Sequence, residues 1–300
     1  MRASLKKTWA LASAAAPLTV LFFAALAETY DFHENRSGAQ GLANPAYRLQ
    51  VYANEGHPQL GATKDWTLEY RFAVPPLPSS PTWNYKVGTV YQWGDVDFDE
   101  YGTSGKYKLS DYRFNQVTPQ LILGSALDAN DASYKPSWSQ RSAWAIEAHY
   151  FLGKRKDIHA VCYAQTGEVI GVNPGDHLIT IIRFDAKAGT IVASIEDENI
   201  PGAGSSAITI PRPFPNEPSL FKSWTDFFQK ATAASRSPYV NATTQLDVET
   251  DYLDQQTMCG LLPFTVTKIV MPGVPSNPSA FSTAQLGGFT CKGALAKLDF

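Results

Sequence analysis

From Gln245 to Tyr252 the side chains alternate in character: Gln245, Asp247, Glu249 and Asp251 take one parity, Leu246, Val248, Thr250 and Tyr252 the other. Strand side chains alternate between faces, and same-face neighbours lie ~6.6 Å apart. The pattern predicts a strand whose one face enters a core while the other presents a ladder of carboxylates. Further strands are read at 66–74, 87–98, an apolar 116–127, 142–152, 177–184, 190–196 and 264–271, with 240–251 containing the stretch above. The segment Asn173-Pro-Gly-Asp176 feeds one of them as a turn, proline setting φ and glycine taking a positive φ. Strands at this spacing, with turn chemistry between them, predict an all-β sandwich of two antiparallel sheets. One helix interrupts the series: Leu220, Phe221, Trp224, Phe227, Phe228 and Ala231 form an apolar stripe at intervals of three and four within 219–235.

The first residues read differently. A basic start carrying Arg2, Lys6 and Lys7 precedes an apolar run that ends Ala25-Leu-Ala27, the small-x-small pattern of a signal-peptidase site. A cleaved signal peptide at 1–27 is expected, then an irregular N-terminal arm at 28–63, then one sandwich domain at 64–300. Removing the leader's three basic residues from the chain's 25 leaves 22 against 28 acids, a net charge of −6. That balance argues against nucleic acid and anionic membrane surfaces as partners. No later run reaches the ~18 apolar residues of a membrane span, so the expected product is secreted and free of the membrane after cleavage. Its three cysteines, Cys162, Cys259 and Cys291, allow at most one internal bridge. Three pairings are open, and Cys259–Cys291 is favoured because both residues flank the C-terminal strands. Asn35-Arg-Ser and Asn241-Ala-Thr are glycosylation sequons.

Two further polar faces carry candidate chemistry. On 91–99, Tyr91, Trp93, Asp95 and Asp97 share a parity, which suits a groove that stacks a ligand and hydrogen-bonds it. On 144–150, Glu147 and His149 share one face while Trp144, Ile146, Ala148 and Tyr150 share the other. Metal and cofactor chemistry is not expected. The five histidines are scattered with no His-x-x-x-His pair, and the acidic run from Asp95 lacks the glycine and terminal acid of an EF-hand loop. No Gly-x-Ser-x-Gly elbow or phosphate loop occurs.

Taken in order, Val90-Tyr-Gln-Trp-Gly-Asp95, Leu123-Gly-Ser-Ala-Leu-Asp128, Ala143-Trp144 opening a strand with a Glu, Val172-Asn-Pro-Gly-Asp-His-Leu-Ile179 and Thr244-Gln-Leu-Asp-Val-Glu249 resemble the fungal glutamic peptidases, or eqolisins. The resemblance covers roughly 66–271. It implies a concanavalin A-like jelly roll of two curved sheets, the architecture of the wider lectin and glucanase superfamily. It also implies acid peptidase chemistry, in which a Glu activates water and a Gln amide stabilises the oxyanion. Glu249 falls on the catalytic glutamate position, Tyr91 and Asp95 on cleft positions, and Trp144 on a cleft tryptophan. The family's glutamine position falls on Leu123 or Gly124. The donor expected here is therefore Gln120, if register allows, with Trp93 and Glu147 completing the substrate-binding set. Two alternatives stay open: glycan binding or hydrolysis in the same groove, with Tyr91, Trp93 and Trp144 stacking on sugar, and a non-catalytic secreted interaction protein.

Overall fold

The computed structural model describes residues 47–54, 58–79, 89–98, 112–124, 141–154, 161–200, 204–215, 218–240, 242–251, 255–286 and 290–300. The expected leader, the start of the expected arm and both sequon asparagines lie outside them.

In chain order the strands are β1 (Tyr47–Ala53), β2 (Leu60–Gly61), β3 (Trp66–Ala73), β4 (Thr89–Asp97), β5 (Tyr112–Gly124), β6 (Arg141–Lys154), β7 (Val161–Thr166), β8 (Ile170–Gly171), β9 (His177–Asp185), β10 (Thr190–Asp197) and β11 (Ser205–Ile210). After helix α1 (Trp224–Ser235) come β12 (Tyr239–Val240), β13 (Thr243–Asp251), helix α2 (Gln255–Gly260), β14 (Phe264–Val270), β15 (Phe281–Leu286) and β16 (Ala296–Leu298). One sheet runs β15-β1-β13-β4-β5-β6-β7, with β8 pairing on β6, and a six-stranded sheet runs β11-β10-β9-β3-β14-β16. All pairings in the two sheets are antiparallel except β14 with β16. The expected all-β, two-sheet sandwich is the architecture found, with two α-helices among the described residues rather than one inserted helix. Among the described residues no helix is long and apolar enough to cross a membrane.

The expectation of an irregular arm as far as residue 63 is corrected by β1. Leu49 and Val51 enter the core while Gln50 faces away, and the strand is seated between β13 and β15. Short and flanked by polar sequence, β1 gains its order from pairing on both edges. The core lies between the sheets: Leu68, Tyr70, Phe72, Ile182 and Ile195 from one meet Val90, Val117, Leu121, Ile146 and Leu246 from the other. Helix α1 starts at an N-cap where Ser223 accepts a hydrogen bond from the Asp226 N–H at 3.1 Å. It buries Trp224, Phe227 and Phe228 against Phe98, Tyr150 and Phe184, so the stripe read from sequence is a core-packing face. Cys259 and Cys291 form a disulfide across 32 residues, tying α2 to the C-terminal segment.

Gly94 shows how closely the sheets meet. A side chain there would overlap the ring of Tyr70 from β3. The Tyr70 hydroxyl donates to the Asp95 carbonyl at 3.3 Å. Burial, with the Asp95 and then the Asp247 carboxylate behind it, pushes that hydroxyl well above the usual tyrosine range.

Candidate functional site

The face of the eight-stranded sheet turned away from the core gathers the polar parities of five adjacent strands into lateral rows. Gln50 on β1 pairs with Asp247 on β13, Asp247 with Trp93 on β4, Trp93 with Gln120 on β5, and Gln120 with Glu147 on β6. In the next row Gln245 pairs with Asp95 and Thr118 with His149. On the other side Glu249 pairs with Tyr91.

This face is not an ordinary surface. Gln50, Asp95, Thr118, Gln120, Glu147, His149 and Asp247 are all buried, Gln120 at 8 % exposure and Asp247 and Glu147 at 0 %. Burying a carboxylate is costly unless hydrogen bonds or opposite charge offset it. Asp95 receives that support: the Gln116 side-chain amide donates to it at 2.5 Å and the Gln245 backbone N–H at 3.3 Å. Gln50 donates to Gln245 at 3.0 Å, tying β1 into the array. His149 lies 3.6 Å from Glu147 and stacks on Phe151 with ring centroids 4.9 Å apart. Burial pushes the imidazole down to about 3, so it is neutral over most of the acid range. Gln120 Oε1 and Thr118 Oγ1 are buried and make no hydrogen bond.

The residues singled out from sequence divide as follows. Gln120 and Glu147 are direct cross-strand partners, and Asp95 and Tyr91 belong to the same outward parity on β4. Trp93 and Glu249 take positions on this face by register, and their side chains lie outside the described residues. Trp144 is a correction. It is 1 % exposed and belongs to the inter-sheet core, not to the polar face, because its parity is that of Ile146, Ala148 and Tyr150. Gln50, Gln116 and Thr118 were not singled out. Gln50 sat in the supposed arm, although Leu49 and Val51 on either side of it carried the alternation that would have exposed it. Among the described residues no three His, Cys, Asp or Glu side chains gather as a metal site. What the array offers is carboxylates, primary amides and one neutral imidazole, which suits proton transfer and hydrogen bonding to a polar substrate.

No protein-family model matches the chain, and no curated protein matches it. Among solved structures, a crystal structure of basic winged bean lectin with Tn-antigen matches at a TM-score of 0.25 and 10% identity, covering 64% of this chain and 76% of the lectin chain. The fold assignment rests on the strand pairing itself: the chain is an antiparallel β-sandwich of an eight-stranded and a six-stranded sheet.

Proposed function

We propose that this chain is a secreted, acid-acting hydrolase that cleaves peptide bonds on the outward face of its eight-stranded sheet. Gln120 donates to the oxyanion, and Asp247 activates the water. The observation that carries the reading is the row Asp247, Trp93, Gln120, Glu147, which sets an amide and carboxylates abreast on neighbouring strands. Adjacent strands lie ~4.8 Å apart, so Asp247 and Gln120 are separated by ~9.6 Å at the backbone. Two side chains and one shared water span such a gap. Glu249, the base implied by the family resemblance, stands one row further along, at ~12 Å from Gln120 by the same spacings.

In this mechanism the Asp247 carboxylate takes a proton from water as the water oxygen bonds to the scissile carbonyl carbon. The carbonyl oxygen gains negative charge and receives the Gln120 N–H. The proton held by Asp247 then passes to the departing amine as the C–N bond breaks. One such amide donor is worth about 10²–10³ in rate.

A second reading has its own observation. Asp95 and Asp247 are diagonal neighbours on β4 and β13. Diagonal positions lie ~7–8 Å apart, inside the ~6.5–9.5 Å span of the carboxyl pair in inverting glycosidases. Glycan hydrolysis on the same face is the alternative.

The test is digestion of acid-denatured protein at pH 3–4 by the purified chain. Gln120→Ala and Asp247→Asn are expected to lower kcat by about 10²–10³. Wild-type chain that leaves the substrate intact, or Gln120→Ala cleaving at the wild-type rate, overturns the peptidase reading. Loss in Glu249→Gln with Asp247→Asn unaffected returns the base to Glu249. Release of reducing sugar from a polysaccharide panel, abolished by Asp95→Asn, selects the glycan reading.

A further inference from the structure

Thr118 and Gln120 stand two positions apart on β5 and share its outward parity, while Val117 and Leu121 of the other parity are core residues. Thr118 is 0 % exposed and Gln120 8 %, yet Thr118 Oγ1 and Gln120 Oε1 make no hydrogen bond. A buried polar group without a partner costs stability. A strand that keeps two of them side by side is not using them to hold the fold together. Between them lies Pro119, which has no N–H to give to the ladder. The pairing of β5 with β4 stops at Gln120 with Trp93 and resumes at Val117 with Val96. Proline is ordinarily confined to edge strands and bulges. Here it interrupts a strand seated between β4 and β6, at the same place as the two orphan oxygens.

We propose that Thr118 and Gln120 read the backbone of an extended polypeptide at two points. Gln120 engages the residue that carries the scissile carbonyl, and the Thr118 hydroxyl engages the backbone of the residue two positions away. This rests on the reading of peptide hydrolysis on the same face. The spacings match: same-face positions of β5 lie ~6.6 Å apart, and backbone groups along one edge of an extended peptide repeat at the same interval, because both are strands.

The chemistry matches as well. In an extended chain the N–H and C=O of one residue point to the same side. The Gln120 side chain offers a donor and an acceptor to meet them: its N–H donates to the scissile carbonyl, and Oε1 accepts that residue's own N–H. The Thr118 hydroxyl donates to a carbonyl or accepts from an N–H. His149 stands beside Thr118 on β6, and Glu147 beside Gln120. Thr118 is the shortest of these side chains, so it forms a floor between longer ones. What reaches it is narrow, as the edge of an unfolded chain is. Thr118 therefore determines specificity: it favours a peptide long enough to reach it over a dipeptide or a folded surface.

The test combines a variant with shortened substrates. The bond cleaved in oxidised insulin B chain is mapped, and a ten-residue peptide is centred on it. Two further peptides are shortened, one from each end, to remove the residue two positions from the one carrying the scissile carbonyl. One shortening is expected to lower wild-type kcat/KM by about 3–10-fold. Thr118→Val is expected to lose the same factor on the full peptide and nothing more on that shortened one, with Thr118→Ser restoring it. Because the hydroxyl has no partner in the fold, Thr118→Val is expected to unfold in urea at the wild-type midpoint or above it. Independent losses from variant and shortening, or a lower urea midpoint, overturn the proposal and leave peptide hydrolysis standing. A wild type that cleaves nothing overturns the hydrolysis instead, and anisotropy titration of labelled insulin B chain then decides the binding. Affinity lowered about 3–10-fold in Thr118→Val upholds the backbone reader, whereas equal affinity or no binding overturns it. Cellohexaose bound in a Thr118-dependent way, with the B chain ignored, overturns the peptide as occupant.

Discussion

The two outward faces of the sandwich handle charge in opposite ways. On the six-stranded sheet, Glu69 lies between Arg71 at 2.6 Å and Lys268 at 3.1 Å, and Arg71 also engages Glu198. All four are partly exposed. Burial works against the Glu69 carboxylate, and the two cations overcome it, holding the group below its usual range. On the eight-stranded sheet Gln50, Asp247, Gln120 and Glu147 in one row and Asp95, Thr118 and His149 in the next are buried. Among the side chains placed in them above, none is Lys or Arg, and His149 is neutral until about pH 3. The first face is a surface arranged to be compatible with water. The second gathers buried acids, primary amides and a neutral imidazole on neighbouring strands.

Three substitutions sharpen the contrast, the largest effect coming from the buried face. His149 is depressed from 6.5 to about 3. A depressed folded value means that its stability is present above 6.5 and is lost as pH falls toward 3. Between pH 7 and 4.5 the loss amounts to about 2–3 kcal/mol. Urea unfolding of His149→Gln is expected to show an acid limb flatter by that amount. Parallel limbs in variant and wild type would remove the imidazole from the account. Gly94 sits at the junction of the polar face and the core. Gly94→Ala is expected to cost about 1–3 kcal/mol through overlap with the Tyr70 ring, with much of the loss recovered by adding Tyr70→Leu. Additive losses in that double-mutant cycle would mean that the ring is not the obstacle. On the exposed face, Arg71→Ala is expected to cost about 0.2–1 kcal/mol, and less in 1 M salt. A loss comparable to that of the buried histidine would erase the distinction between the faces.

The sidedness of this array was legible in the chain. Alternation at 245–251 and 91–97 assigned Asp247 and Asp95 to one parity and Leu246 and Val96 to the other, and strand geometry leaves little freedom in that assignment. Burial was not legible. A polar residue at every second position ordinarily means solvent, so nothing local distinguishes Asp247, at 0 % exposure, from the partly exposed Glu69. Trp144 illustrates the opposite error. Its own parity marked it as a core residue, and only the family resemblance moved it to the cleft.

Strand existence, side-chain parity, the aromatic stripe of α1 and the availability of Cys259 and Cys291 for one bridge belong to the sequence by itself, because each follows from spacing along a few residues or from a count. Which strands are neighbours belongs to the tertiary structure. Gln120 meets Glu147 across 27 positions, and Gln120 and Asp247, 127 positions apart, both pair with Trp93. The physical reason is that register is set when whole sheets close on a shared core. The apolar parity of each strand specifies that it must face inward and leaves open which polar residues will then stand side by side on the other face.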